Sequence, residues 1–152
     1  MRAKLLRKRA TKLDFQGILI EIEHPEGSTR TGTDSEGAPW ARKMLCDYGF
    51  IRETTPDKGD GEDLDVYVGL NKDAPEAFLV EQLDDDGEFD EFKCVLGTGS
   101  EEEARALYLR HYPEGWDDHI AGILTVSVDQ LREFVDHASM PGDANEDNER
   151  TD

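Results

Sequence analysis

Cations are scarce in this chain: 17 Lys and Arg stand against 36 Asp and Glu, for a formal net charge of −19. That deficit excludes nucleic-acid binding as the main task of the body, because phosphate contacts need cations. Cysteine is rarer still. Cys46 and Cys94 each sit beside apolar residues, which excludes a disulfide scaffold and fits two reduced, buried thiols. No apolar run approaches membrane-spanning length, and no apolar h-region follows the basic start. A cytoplasmic protein without a membrane partner is therefore expected. Apolar residues make up only 36%, and low hydrophobicity with high charge is the composition of disorder. Clear strand and helix periodicity in the middle of the chain argues instead for a folded body with polar ends.

At 152 residues the chain suits one domain with short extensions. Residues 1–12 hold Arg2, Lys4, Arg7, Lys8, Arg9 and Lys12 and no acid, six of the 17 cations. Nucleic acid is an unlikely partner except through this basic arm, which is compatible equally with contact to an acidic partner surface, with folding back on the acidic body, or with a leftover linker. The domain is expected over 13–139, with a disordered acidic tail over 140–152. The acid excess, with Arg outnumbering Lys ten to seven, fits either a multi-metal site or adaptation to high salt.

FQGILIEIEHP alternates with period two and reads as a strand. STRTGTDSEGAPW is turn-rich and reads as a hairpin flap, and ARKMLCDYGFI as a short extended run. LDVYVGL, AFLVEQL and EFKCVLG are further strands, the last two joined by a DDDG turn. SEEEARALYLRHY opens with Ser100 and Glu103 in capping-box spacing and buries Ala104, Leu107, Tyr108 and His111. ILTVS is a strand, and SVDQLREFVDHA is a helix that repeats the device with Ser127 and Gln130. Its inward positions are Val128, Leu131, Val135 and Ala138. The fold class expected is α+β, a small antiparallel (OB-like) β-barrel with two flanking helices.

Two acid groups stand out: Asp60, Glu62 and Asp65 in DKGDGEDLDVYVGL, and Asp84, Asp85, Asp86 and Asp90 around DDDG. Hard cations such as Mg²⁺ take oxygen ligands, so acids gathered at strand ends can hold them; a solvated turn is the competing explanation. Calcium loops are excluded, since Gln82 and Lys93 occupy ligand positions in the register of Gly87, and Pro56 and Lys58 do so in that of Gly61. A metal site acting on phosphate also needs cations and a hydroxyl. Arg30, Arg42, Lys43, Tyr48 and Lys93 supply them.

DYGFI followed by DGEDLDVYV resembles the signature of the family I soluble inorganic pyrophosphatases, a Y-G-[FY]-I strand leading into D-x-D-x-x-D-x-x-V. Ile22, Glu23 and Pro25 resemble the family's I-E-x-P strand end, and Asp84 to Lys93 its acid-rich turn. The match covers residues 15 to 96, with a weaker likeness at HYPEGW. The chain is most similar to the short pyrophosphatase-like domains of phage and mobile-element proteins, which share the S-x-R-x-G flap and the S-E-E-E-A-R-A helix. A phage origin would place it in the host cytoplasm or the virion.

The resemblance implies Mg²⁺ as cofactor, with Asp60, Asp65, Asp84, Asp90 and Glu23 as ligands. Glu62 would orient or deprotonate the attacking water, with Tyr48 and Lys93 as further catalytic residues. Arg30, Arg42 or Lys43, and Tyr112 would hold the phosphates. Glu62 stands where the family has Asp, and Pro113 follows Tyr112 where the family has Lys. The activity implied is hydrolysis of inorganic pyrophosphate to two phosphates by metal-activated water. The alternatives are a catalytically weakened binding or virion-associated module, and a hydrolase of another phosphoanhydride such as a nucleotide. A homo-oligomer is compatible with either.

Overall fold

Turn chemistry sets the first hairpin. The computed structural model describes residues 11–52 and 63–138. Strands β1 (Thr11–Phe15) and β2 (Ile18–His24) pair antiparallel around a two-residue turn. Gln16 has φ 51 and Gly17 φ 92, the doubly left-handed turn that matches strand twist. Asp14 closes it by accepting the Gly17 N–H at 2.7 Å. The expected single strand from Phe15 onward is thus two strands. Gln16 takes a backbone conformation that sequence propensity assigns to Gly, Asn or Asp.

The flap forms as expected, from β3 (Thr29–Thr33) and β4 (Pro39–Lys43), a separate two-stranded sheet. The expected single run ARKMLCDYGFI is divided: its first three residues end β4 at Lys43, and β5 (Asp47–Ile51) begins a new strand in the main sheet. There follow β6 (Leu64–Val68), β7 (Glu76–Leu83), β8 (Phe89–Leu96), α1 (Glu101–Leu109), a 3₁₀ turn (Trp116–His119), β9 (Ile120–Ser127) and α2 (Val128–Ala138).

The main sheet has seven strands in the order β1-β2-β5-β6-β8-β7-β9. It is mixed, because β6 and β8 run parallel while the other neighbours are antiparallel. This corrects the antiparallel expectation: β7 passes outside the position beside β6, and β8 returns to fill it. Among the described residues no pairing joins β1 to β9, so the expected closed OB-like barrel is not what the ladder forms.

Alternation along the strands sends apolar side chains to both faces, and one helix covers each face. Val128 and Leu131 of α2 pack on Ile18, Ile20, Ile22, Val66 and Leu96. Ala104, Leu107 and Tyr108 of α1 pack on Tyr48, Tyr67, Val80 and Val95. Both helices start as their sequences imply. Ser100 Oγ accepts from Glu103 N at 3.1 Å, and the Glu103 carboxylate accepts from Gly99 N. Ser127 and Gln130 bond each other's backbone N–H at 3.0 and 2.8 Å. Such caps stabilise by about 1 kcal/mol each. Gly49 is required in DYGFI because a Cβ there would lie 1.8 Å from the Glu21 carbonyl oxygen. Only glycine lets β5 approach β2 this closely.

Candidate active site

The face of the sheet under α1 gathers the polar groups. Registers place Tyr48 opposite Tyr67 and Asp65 opposite Lys93. Period two then brings Tyr48, Asp65, Tyr67, Glu91 and Lys93 to one face. Lys93 is 3% exposed, and its Nζ donates to Asp65 Oδ2 at 2.8 Å and to the Tyr48 hydroxyl at 2.9 Å. Glu91 Oε2 lies 3.3 Å from the same nitrogen. Three oxygens thus surround one buried ammonium, the condition for keeping a charge out of water. Burial alone would lower the Lys93 pKa, but Tyr48, Tyr112, Asp65 and Glu91 outweigh it and hold the group well above its ordinary value. Burial likewise raises the Tyr48 phenol, against the opposing pull of Lys93. Lys93 is therefore a fixed positive charge. Because the Tyr48 oxygen accepts from Lys93, its own hydrogen remains to be donated.

The flap supplies the opposite wall. Arg30 and Arg42 are cross-strand partners, as are Gly32 and Trp40. Trp40 lies flat on the backbone, and a Cβ on Gly32 would come within 2.4 Å of its ring. Arg42 stacks over Trp40 at 4.2 Å and Tyr112 at 4.5 Å. Arg30 stacks over Tyr48 at 4.4 Å and Trp40 at 5.3 Å. Aromatic faces fix the guanidinium planes without consuming their N–H groups. Among the described residues neither arginine forms an ion pair. Burial lowers the Arg30 pKa, yet Tyr48, Tyr67, Tyr112 and Asp65 carry it above the ordinary value.

Between these walls lies a cleft of about 740 Å³. Its back is a buried chain of hydrogen bonds: Trp116 Nε1 donates to the Tyr108 hydroxyl at 2.9 Å, and Tyr108 donates to Gln82 Oε1 at 2.5 Å. Gln82 Nε2 in turn donates to Asp90 Oδ2 at 3.0 Å, orienting that carboxylate. Two hairpin tips close the end. In each, an Asp carboxylate accepts from two backbone N–H groups of its own turn, Asp34 in the flap and Asp84 in DDDG. Ser35 joins the tips by donating to Asp85 at 2.9 Å, and Asp85 also meets His119 at 3.1 Å. These two bonds lower the Asp85 pKa.

Arg30, Arg42, Tyr112, Asp84, Asp90 and Lys93 all line the cleft. Tyr48 and Asp65 join it through Lys93. Lys43 lies apart, because alternation along β4 turns it away from Arg42, and it lines a second pocket. Glu23 is exposed and is not part of the cleft lining. Asp60 and Glu62 lie outside the described residues. Asp84 has one oxygen committed to its turn, which is the solvated-turn explanation realised in part.

Sequence reasoning missed Glu91, whose signal was available two positions before Lys93 on the same strand. It also missed Gln82, Trp40 and Trp116. His24, too, went unnoticed; its ring lies 6.1 Å from that of Tyr48. A register shift between Ile22 and His24 brings it there, and no sequence pattern marks that shift.

The donor chemistry fits a hard divalent cation. Asp65, Asp84, Asp90 and Glu91 offer carboxylate oxygens, while burial pushes both thiols, Cys46 and Cys94, up to about 12 and removes soft ligands. Among the described residues no three acids, histidines or cysteines converge on one point. The acidic run that precedes β6 would have to complete any such set.

A family model described as inorganic pyrophosphatase matches residues 6–136. Searches of curated proteins and of solved structures give no significant match.

Proposed function

The chain belongs to the inorganic pyrophosphatase family, and on that premise we propose that it hydrolyses inorganic pyrophosphate to two phosphates with Mg²⁺ as cofactor. The observation that carries this reading is the pairing of opposite walls. Lys93, held by Asp65, Glu91 and Tyr48, faces a flap whose two stacked arginines have no carboxylate partner among the described residues.

Asp65, Glu91 and Asp90, with Asp60 from the preceding segment, would hold the metal. Glu62 would receive the proton of the attacking water. When bound, Mg²⁺ neutralises phosphate charge and acidifies water. The chain's own groups do the rest. Arg30 and Arg42 offer N–H donors to the phosphate oxygens in fixed planes, which suits bidentate recognition. Lys93 places an unchanging positive charge beneath the cleft, where the leaving phosphate gains negative charge. Tyr48 donates its free O–H to an oxygen of the same group. Gln82 fixes the rotamer of Asp90, so its oxygens arrive oriented.

Phosphate release from pyrophosphate with added Mg²⁺ tests this directly. Wild type should turn over, and Asp65→Asn should lower kcat by about a hundredfold or more. Failure of wild type to release phosphate at any Mg²⁺ or salt concentration would overturn it.

One observation favours a second reading, a binding module that has lost turnover. Asp65 and Glu91 already share the single Lys93 ammonium, which occupies an oxygen of each and offsets one of their two charges. Calorimetry would then show binding of Mg²⁺ or of a phosphate ligand without product.

A further inference from the structure

Alternation along β4 sends Arg42 to the cleft and Lys43 to the other side. There Lys43 lines a second, open pocket of about 350 Å³ together with Arg42, Arg110, Trp40, Tyr112 and Pro113. Four of these, Trp40, Arg42, Tyr112 and Pro113, also line the main cleft. The two are adjoining compartments, and Arg42 is their common wall.

The charge of this pocket runs against the molecule. The chain carries −19, yet among the described residues three cations and no carboxylate line the pocket. None of Arg42, Lys43 and Arg110 forms an ion pair among the described residues. Arg110 caps the C-terminal end of α1, where the helix dipole accounts for one cation. It does not account for the other two beside it. Three like charges around one small hollow repel unless an anion enters. The buried His111, which also lines the hollow, registers that field: burial lowers its pKa first, and Arg110, Arg42 and Arg30 lower it further.

We infer that this pocket is a third phosphoryl subsite. It takes the distal phosphate of a linear phosphoanhydride longer than pyrophosphate, with Arg42 bridging it to the phosphates in the cleft. The inference rests on the hydrolase reading above and extends its substrate class to tripolyphosphate or the tail of a nucleoside triphosphate. Water adds to one phosphorus, the bond from that phosphorus to the bridging oxygen breaks, and a proton passes to solvent. Tripolyphosphate thereby gives one phosphate and one pyrophosphate.

The test compares kcat/KM for pyrophosphate, tripolyphosphate and a nucleoside triphosphate in wild type and in Lys43→Ala/Arg110→Ala. Both side chains are exposed, so the fold should tolerate their truncation. The double variant should lose about tenfold or more on tripolyphosphate through KM, the size expected for charge-assisted contacts, and less than about twofold on pyrophosphate. A matching loss on the nucleotide extends the subsite to nucleotide tails, and its absence restricts the subsite to inorganic chains. Equal losses on pyrophosphate and tripolyphosphate, or no loss on either, overturn the subsite. If wild type turns over none of them, the hydrolase reading falls and calorimetric titration with tripolyphosphate decides. Tighter binding than pyrophosphate, lost in the variant, upholds the pocket, and equal binding removes it.

Discussion

Lys93 is the residue on which the site turns, since its ammonium is buried and satisfied by three oxygens from three positions on one sheet face. Removing the Tyr48 hydroxyl would leave that ammonium one partner short and deprive the cleft of a donor. Tyr48→Phe should therefore lower kcat by about a hundredfold, the usual loss for one preorganised donor. It should also cost about 1–3 kcal/mol of stability for the unmet buried donor. Steady-state kinetics beside denaturant unfolding checks both, and an unchanged kcat would remove Tyr48 from the machinery. At this level the sequence was readable wherever a residue type is chemically unusual for its setting. A lysine inside an apolar strand and an arginine pair on a short hairpin are such cases. Glu91 and Gln82 escaped because an acid or amide on a strand is commonplace until its neighbours are known.

Among the elements, α1 and the segment that follows β4 are linked by a neutral histidine. His111 accepts the Leu45 N–H at its Nε2 and presents Nδ1 to the Leu107 carbonyl at 2.8 Å, so only the neutral ring satisfies both. Its pKa is lowered, as is that of His24, in each case first by burial. A base whose folded pKa lies below its unfolded value binds more protons when unfolded. Stability is therefore highest above about pH 6.5, the unfolded value, and declines as pH falls through the folded pKa. Denaturation at several pH values between 5 and 8 should show this decline, and His111→Phe should flatten it. A slope unaltered by the substitution would assign the effect elsewhere. The helices themselves were legible because caps and stripes are local. The 3₁₀ turn and the β1–β2 split were not; the split depends on Gln16 adopting a left-handed backbone angle.

For the molecule as a whole, charge outweighs every other property of the surface. A chain of net charge −19 repels itself, and screening shortens the reach of that repulsion from about 10 Å at 0.1 M salt to about 3 Å at 1 M. Thermal unfolding should shift upward between those conditions, and a Tm that falls with salt would argue against adaptation to high ionic strength. Five of the 17 cations line two adjoining hollows: Arg30, Arg42 and Lys93 the cleft, and Lys43 and Arg110 its annex. No helix among the described residues is long and apolar enough to cross a membrane.

Residue order alone was enough for the family, the strands with clean alternation and both capped helices. All of these follow from spacing along one chain, which a local pattern records. The parallel β6–β8 pairing, the open ladder in place of a barrel, and the side of the flap that each cation serves emerged only from the folded molecule. Those depend on contacts between segments far apart in the chain. Arg42 and Lys43 are neighbours in sequence, and the pleat of a single strand sends one to the cleft and the other to the pocket behind it.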